Sequence, residues 1–154
     1  MNCALLLLVL GATIEAKTVS VESGDSLLVS DAAGQQIQIR LNGIDAPDEK
    51  QPYAKEAKEA LAKLVQDQQL KIETSGEDRY KRTIGNVLVG ETNVNQKLVR
   101  DGWAWWFRRY APDDKALEAA EKEAREAKRG LWADPSPVAP WDFRQQERDR
   151  AAGK

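Results

Sequence analysis

Apolar and polar positions alternate along the first third of the chain. Thr18–Glu22 (TVSVE) alternates with period two, Leu27–Ser30 resumes the pattern, and Gln36–Leu41 (QIQIRL) places Ile37, Ile39 and Leu41 on one face, with Arg40 on the other. Ser23-Gly24-Asp25-Ser26 and Ala33-Gly34 supply turn chemistry between these runs, so a three-stranded meander is predicted. Asn42–Lys50 (NGIDAPDEK), punctuated by Gly43 and Pro47, reads as a loop. The spacing then changes to that of a helix over Pro52–Gln66, with Pro52 at the first position and Tyr53, Ala57, Leu61, Leu64 and Val65 on one face. Leu70–Thr74 and Thr83–Val89 predict two more strands, joined by the polar Gly76–Arg82 (GEDRYKR). Asn93–Asp101 reads as a short helix closed by Gly102. Asp113–Arg129 reads as a longer one, capped by Asp113 or Asp114 and ended by Gly130. Five short strands with helices between and after them point to an α+β domain, with a small five-stranded OB-type β-barrel as the natural candidate.

The two ends differ from this pattern. Ala4–Ala12 (ALLLLVLGA) is an apolar run shorter than the roughly 20 residues that span a bilayer. It suits the hydrophobic core of a secretory signal peptide, with cleavage after Ala16; the alternative is a buried N-terminal strand or helix. The expected organisation is a signal peptide at 1–16, a domain at 17–133 and a tail at 134–154, with a secreted or periplasmic location. The tail carries Pro135, Pro137 and Pro140 and then the charged Arg144–Lys154, a composition that favours an extended or mobile segment.

Composition narrows the chemistry. The chain of 154 residues has no histidine and one cysteine, Cys3. Imidazole-dependent triads, histidine zinc sites and an intrachain disulfide are therefore excluded. What remains is carboxylate, guanidinium, amine, hydroxyl, or a hard cation held through oxygen. The formal net charge of −2 argues against non-specific electrostatic binding over the whole surface, although Arg79, Lys81 and Arg82, and Arg100, Arg108 and Arg109, form local basic clusters.

Six blocks in one order, GDS, IRLNGIDAPD, QPYAKEA, DRYKR, VNQKLV with GWAWW, and EAREAKRGLW, resemble the staphylococcal nuclease family from about Val19 to Trp132. The resemblance implies an OB barrel with three helices and a calcium-dependent phosphodiesterase acting on DNA and RNA. Under it, Asp25, Asp45 and the main-chain carbonyl of Ala46 match the metal ligands, and Arg40 and Arg82 match the two catalytic arginines. Guanidinium forks suit this role because they bind phosphate bidentately and stay charged. Asp48 matches the residue that aims the attacking water, where the family carries glutamate; aspartate is one methylene, roughly 1.5 Å, shorter. Two lesser departures are Ser23 in place of an aspartate and Lys81 in place of a glycine, which would be strained if the position has positive φ. Tyr80, with Arg79 beside it, and Tyr110 match nucleotide-contacting positions, with core packing against the C-terminal helix as the alternative for Tyr110. Trp103, Trp105, Trp106, Trp132 and Trp141 match structural blocks.

Three readings follow. The first is a monomeric, secreted, Ca2+-dependent nuclease that prefers single-stranded DNA and RNA, cleaves the 5′ P–O bond to leave 3′-phosphates, and makes no membrane contact once the signal is removed. The second is a non-catalytic OB domain binding nucleic acid or protein, favoured by Asp48, Ser23 and the near-neutral charge. The third is an oligosaccharide binder using the tryptophans as stacking surfaces.

Overall fold

Eight strands and four α-helices follow one another in a computed structural model that describes residues 11–153. In chain order they are β1 (Thr13–Ser23), β2 (Ser26–Asp31), β3 (Gln36–Leu41), β4 (Ile44–Asp45), α1 (Ala54–Val65), β5 (Gln69–Glu77), β6 (Thr83–Val89), β7 (Thr92–Asn93), α2 (Val94–Arg100), β8 (Trp105–Trp106), α3 (Lys115–Glu126), a 3-10 turn (Gly130–Ala133) and α4 (Pro140–Ala151).

The main sheet runs β3-β2-β1-β5-β6, with the short β7 beyond β6. Parallel pairing of Ile39, Arg40 and Leu41 with Thr83, Ile84 and Gly85 joins β3 to β6 and closes five strands into a barrel. The curl comes from β1, which pairs with β5 through Thr13–Lys17 and with β2 through Ala16–Ser23, with register shifts after Thr18 and Val21. Such irregularities bend a strand and raise its twist, as a small barrel requires. The interior is filled by Leu27, Val29, Ile39, Leu41, Leu70, Ile72 and Val87, all fully buried. Helix α1 lays Ala57, Leu61 and Val65 on this core. The expected α+β architecture with an OB-type barrel is therefore the observed one.

Two elements differ from the sequence expectation. Strand β1 begins at Thr13, five residues earlier than the alternation predicted, so the expected cleavage point after Ala16 falls inside a paired strand. Residues 1–10 lie outside the described residues, and with them most of the apolar run. The Pro-rich tail, expected to be extended or mobile, forms a fourth helix, α4, beyond the three implied by the resemblance. Its start is explained locally by Pro140 in the first helical turn, where a missing N–H costs nothing. Its docking is tertiary: Trp141 stacks on Phe107 at 5.3 Å and meets Trp105 edge-on at 5.6 Å, while Ala139 and Pro140 are buried. No helix of the described residues is long and apolar enough to cross a membrane.

Candidate active site

The site forms where a turn, a strand end and a loop of the barrel meet. The tight β1–β2 turn carries Asp25, β3 carries Arg40 near its end, and β4 with the following loop carries Asp45, Ala46 and Asp48. The turn can approach the loop because residue 24 is glycine: a Cβ there would lie 2.7 Å from the Cβ atoms of both Ala46 and Ala57. Asp25 Oδ2 accepts a hydrogen bond from the Ala46 N–H at 2.7 Å, and Oδ1 accepts from the Ser23 hydroxyl at 2.9 Å. Ser23, at the position where an aspartate was expected from the resemblance, thus orients Asp25 by a neutral hydrogen bond.

Alternation along β3 turns Arg40 away from Ile39 and Leu41, as the sequence pattern required. Its Nη2 lies 3.3 Å from both Asp25 Oδ2 and Asp45 Oδ1, and Nη1 donates to the Leu41 carbonyl at 2.7 Å. Two carboxylates from different turns therefore converge on one cationic nitrogen. Asp45 is held in place by short antiparallel pairing of β4 with β8, Asp45 opposite Trp105. Strand β8 is in turn fixed by buried Glu121 of α3, which accepts from the Trp106 N–H at 3.1 Å.

The side chain of Asp45 is 3% exposed. Burial pushes its pKa up to about 6 from the usual 3.8; the hydrogen bond from Arg144 opposes this, the Asp25 charge adds to it, and the charges of Arg144 and Arg40 also oppose it. Arg144, on α4, was absent from the sequence-derived site. Its Nη2 donates to Asp45 Oδ2 at 2.6 Å, and its Nη1 donates to Asp48 Oδ1 at 3.0 Å and to Asp45 Oδ1 at 3.4 Å. Burial works against its charge, yet the hydrogen bond and charge of Asp45 and the charge of Asp48 raise its pKa above the usual arginine value. A signal did exist: Trp141 and Arg144 are three apart on one helix, so an apolar anchor at 141 carries residue 144 toward the same surface.

Asp48 sits on the loop with its backbone N–H donating to Gln51 Oε1 at 3.2 Å. The same buried Gln51 donates through Nε2 to the Val138 carbonyl, which ties the loop to the segment entering α4.

Arg82 bonds to a different carboxylate. Its Nε donates to Asp78 Oδ2 at 2.7 Å, and Asp78 Oδ1 accepts from the backbone N–H of Tyr80 and of Arg82. Desolvation pushes Asp78 upward, but these hydrogen bonds and the Arg82 charge outweigh it and leave the carboxyl below its usual value. Lys81, inside the turn, has φ 61°, the left-handed conformation that glycine adopts freely. The turn holds Arg82 in the lining of a cleft of ≈ 1130 Å³ that also includes Asp25, Arg40, Asp45, Asp48, Tyr80 and Tyr110. Arg79 lies over the Tyr80 ring, 4.9 Å from its centroid, and lines the same cleft. Tyr80 is 65% exposed and Tyr110 70% exposed, so Tyr110 is a rim residue rather than core packing. Trp105, Trp106 and Trp132 are buried; Trp103 packs partly buried against the main core and Trp141 against the second aromatic cluster.

Among the described residues no group of three or more histidine, cysteine, aspartate or glutamate side chains is arranged to hold a metal ion. The donor chemistry nevertheless fits a hard cation: two carboxylates, one deeply buried, face the same nitrogen from two sides, and oxygen ligands from carboxylate, main chain and water suit calcium.

A closed OB-type barrel with clustered carboxylates and guanidinium groups at the mouth of an open cleft defines the class. The chain belongs to the staphylococcal nuclease family: residues 38–134 match the family model described as staphylococcal nuclease homologue. Among its relatives, an "Uncharacterized endonuclease" of Escherichia coli O157:H7 is 39% identical over 140 residues, covering 90% of each chain. An "Uncharacterized endonuclease" of Haemophilus influenzae is 34% identical over 132 residues, covering 86% of this chain and 74% of that one. The "Probable staphylococcal-like nuclease CAN1" of Oryza sativa subsp. japonica is 40% identical over 131 residues, 80% of this chain but 39% of the rice protein. The chain spans about two fifths of the length of the rice relatives it matches.

Proposed function

We propose that this domain is a calcium-dependent nuclease that hydrolyses phosphodiester bonds in DNA and RNA, cleaving the 5′ P–O bond and leaving 3′-phosphates. The observation that carries the reading is the convergence of Asp25 and Asp45 on the single Nη2 of Arg40, at 3.3 Å each, inside the cleft that Arg82 and Tyr80 also line. The names of the relatives, nuclease and endonuclease, support the nuclease part of this reading.

Asp25, Asp45 and the Ala46 carbonyl would hold calcium. When bound, calcium supplies positive charge to the phosphoryl oxygens and so lowers the cost of the charge that develops on them. Arg40, already beside both carboxylates, hydrogen-bonds a non-bridging phosphate oxygen. Arg82, which lines the same cleft, stabilises the transition state and the leaving oxygen. Asp48 accepts a hydrogen bond from the attacking water and takes its proton as the oxygen bonds to phosphorus. Tyr80 and Tyr110 offer exposed rings on which bases stack, worth about 1–3 kcal/mol each. Open rims of this kind favour single-stranded substrate, whose bases can be splayed out. We take the working unit to be a monomer.

The apolar run Ala4–Ala12 supports a secreted or periplasmic location. Pairing of Thr13–Ala16 with β5 favours a leader removed ahead of Thr13 rather than after Ala16. A non-catalytic binding module is the second reading, and the guanidinium of Arg144 on Asp45 and Asp48 favours it by neutralising both carboxylates.

The test is cleavage of single-stranded DNA by the full chain with calcium and with excess chelator, beside an Asp48→Glu variant. Calcium-dependent cleavage by the wild type is expected. Cleavage by neither protein overturns the hydrolytic reading; cleavage by Asp48→Glu alone favours the binding module.

A further inference from the structure

Among the described residues, Arg144 is the one side chain of α4 that pairs with the carboxylates of the site, and it spans two of them: Nη2 on Asp45 at 2.6 Å and Nη1 on Asp48 at 3.0 Å. The helix does not need this side chain to stay in place. It is anchored by Trp141 on Phe107 and Trp105, by buried Ala139 and Pro140, and by the Gln51 hydrogen bond to the Val138 carbonyl. The guanidinium instead turns into the cleft shared with Arg40, Arg82 and Tyr80, where its side chain remains 38% exposed. Among the described residues, Asp48 makes no other salt bridge.

We infer that Arg144 is a positioning residue of the active site, which fixes the Asp48 carboxylate beside Asp45 and makes the C-terminal helix part of the catalytic unit. The inference rests on the hydrolytic reading proposed above. Aspartate at position 48 is a methylene shorter than the glutamate that the family resemblance led us to expect, and a short carboxylate on a loop reaches its water only if its direction is fixed. A fork with one nitrogen on deeply buried Asp45 and the other on Asp48 sets that direction relative to the rest of the site. A displacement near 1 Å at a reacting group costs about a hundredfold in rate, so the loss of this contact is expected to be visible in turnover.

The experiment compares wild type, Arg144→Ala, Arg144→Lys, Asp48→Ala and the double variant Asp48→Ala/Arg144→Ala in the full chain. Single-turnover and steady-state cleavage of single-stranded DNA is measured with calcium, together with thermal denaturation and a terbium titration followed by tryptophan-sensitised emission. Arg144→Ala is expected to lower kcat by about 10- to 100-fold with KM changed less than about threefold. It is expected to bind terbium at least as tightly as wild type, because a competing cation has left Asp45. Arg144→Lys is expected to recover part of the rate. In the Asp48→Ala background the Arg144→Ala change is expected to cost less than about twofold, since a residue acting through Asp48 has nothing left to position. Equal losses in both backgrounds overturn the inference. So does a rise in kcat together with tighter terbium binding, which would make Arg144 a plug over the cation position. Should Arg144→Ala fail to fold, Arg144→Gln carries the same comparison. No cleavage by the wild type fails the hydrolytic reading and this inference with it; wild-type cleavage with additive losses fails the inference alone.

Discussion

Asp25 accepts a hydrogen bond from the Ala46 N–H at 2.7 Å, and this bond ties the first turn of the barrel to the loop that follows β4. The two residues are 21 apart in sequence, and only Gly24 lets them meet, since any side chain there would press on Ala46 and Ala57. Gly24→Ala is therefore expected to destabilise the fold by about 1–3 kcal/mol, the usual cost of overpacking, and to weaken terbium binding by separating Asp25 from Asp45. Urea denaturation beside a metal titration checks both; unchanged stability would show that α1 yields without cost.

Arg40 serves both carboxylates at once, so its removal has two consequences. Arg40→Ala is expected to reduce cleavage at least 10²–10³-fold, as loss of a transition-state donor does, and to raise the pKa of Asp45 further by withdrawing a favourable charge. Arg82→Ala is expected to abolish cleavage too, but to leave the Asp45 titration where it is, because Arg82 pairs with Asp78 and is not among the charges that act on Asp45. Kinetics and a carboxyl-resolved NMR titration of the two variants separate these roles. Full activity in both would remove the arginines from the site.

Asp45 sets a pH dependence with a definite sign. Its carboxyl is raised by burial to about 6, so between the ordinary value of 3.8 and 6 the folded protein holds more protons than the unfolded chain. Without metal, this group stabilises the fold fully below pH 3.8 and loses that contribution as the pH rises to 6. Metal binding runs the other way, because protons compete for the same oxygen: terbium affinity is expected to fall about tenfold per pH unit below 6. Melting temperatures in chelator and titrations at several pH values test the two slopes. A metal affinity independent of pH from 5 to 7 would exclude Asp45 as a ligand.

Asn95 of α2 is buried and fully used. Its Oδ1 accepts from the Val87 N–H at 3.0 Å, and its Nδ2 donates to the Asn42 carbonyl at 3.0 Å and the Gly85 carbonyl at 3.2 Å. It thus joins β6 to the start of the loop that leads to Asp45. Asn95→Ala removes the partner of the Val87 N–H and of the Asn42 carbonyl, while the Gly85 carbonyl keeps the Asn42 N–H, and is expected to cost about 2–4 kcal/mol. A denaturation midpoint within experimental error of wild type would show that water replaces the amide.

The parts of the site readable in the sequence were those set by local rules. Period-two alternation placed Arg40 opposite Ile39 and Leu41, and turn chemistry placed Asp25 between strands; both stand where the pattern put them. The αL conformation of Lys81 was flagged by its occupying a glycine position, and its φ is 61°. Strand β1 was read too short because its first residues are polar and apolar in a pattern that also suits the end of a leader. What distinguishes them is pairing with β5, more than fifty residues away. The tail's composition hides its helix for a related reason: prolines and charges describe a segment without a core of its own, whereas α4 borrows one from Trp105 and Phe107.

The sequence by itself determined the five main strands, the first three helices, the α+β barrel class and the exclusion of imidazole chemistry, because each depends on residue type and short-range spacing; its resemblance to the nuclease family singled out Asp25, Arg40, Asp45, Asp48 and Arg82 as candidates. Tertiary structure alone decided that β3 closes on β6, that Asp25 and Asp45 share one nitrogen of Arg40 while Arg82 pairs with Asp78 in the same cleft, and that Arg144 enters from the far end of the chain. Those relationships join residues from four to about a hundred positions apart, and they are fixed by packing and hydrogen bonding between elements, for which no local periodicity carries a record.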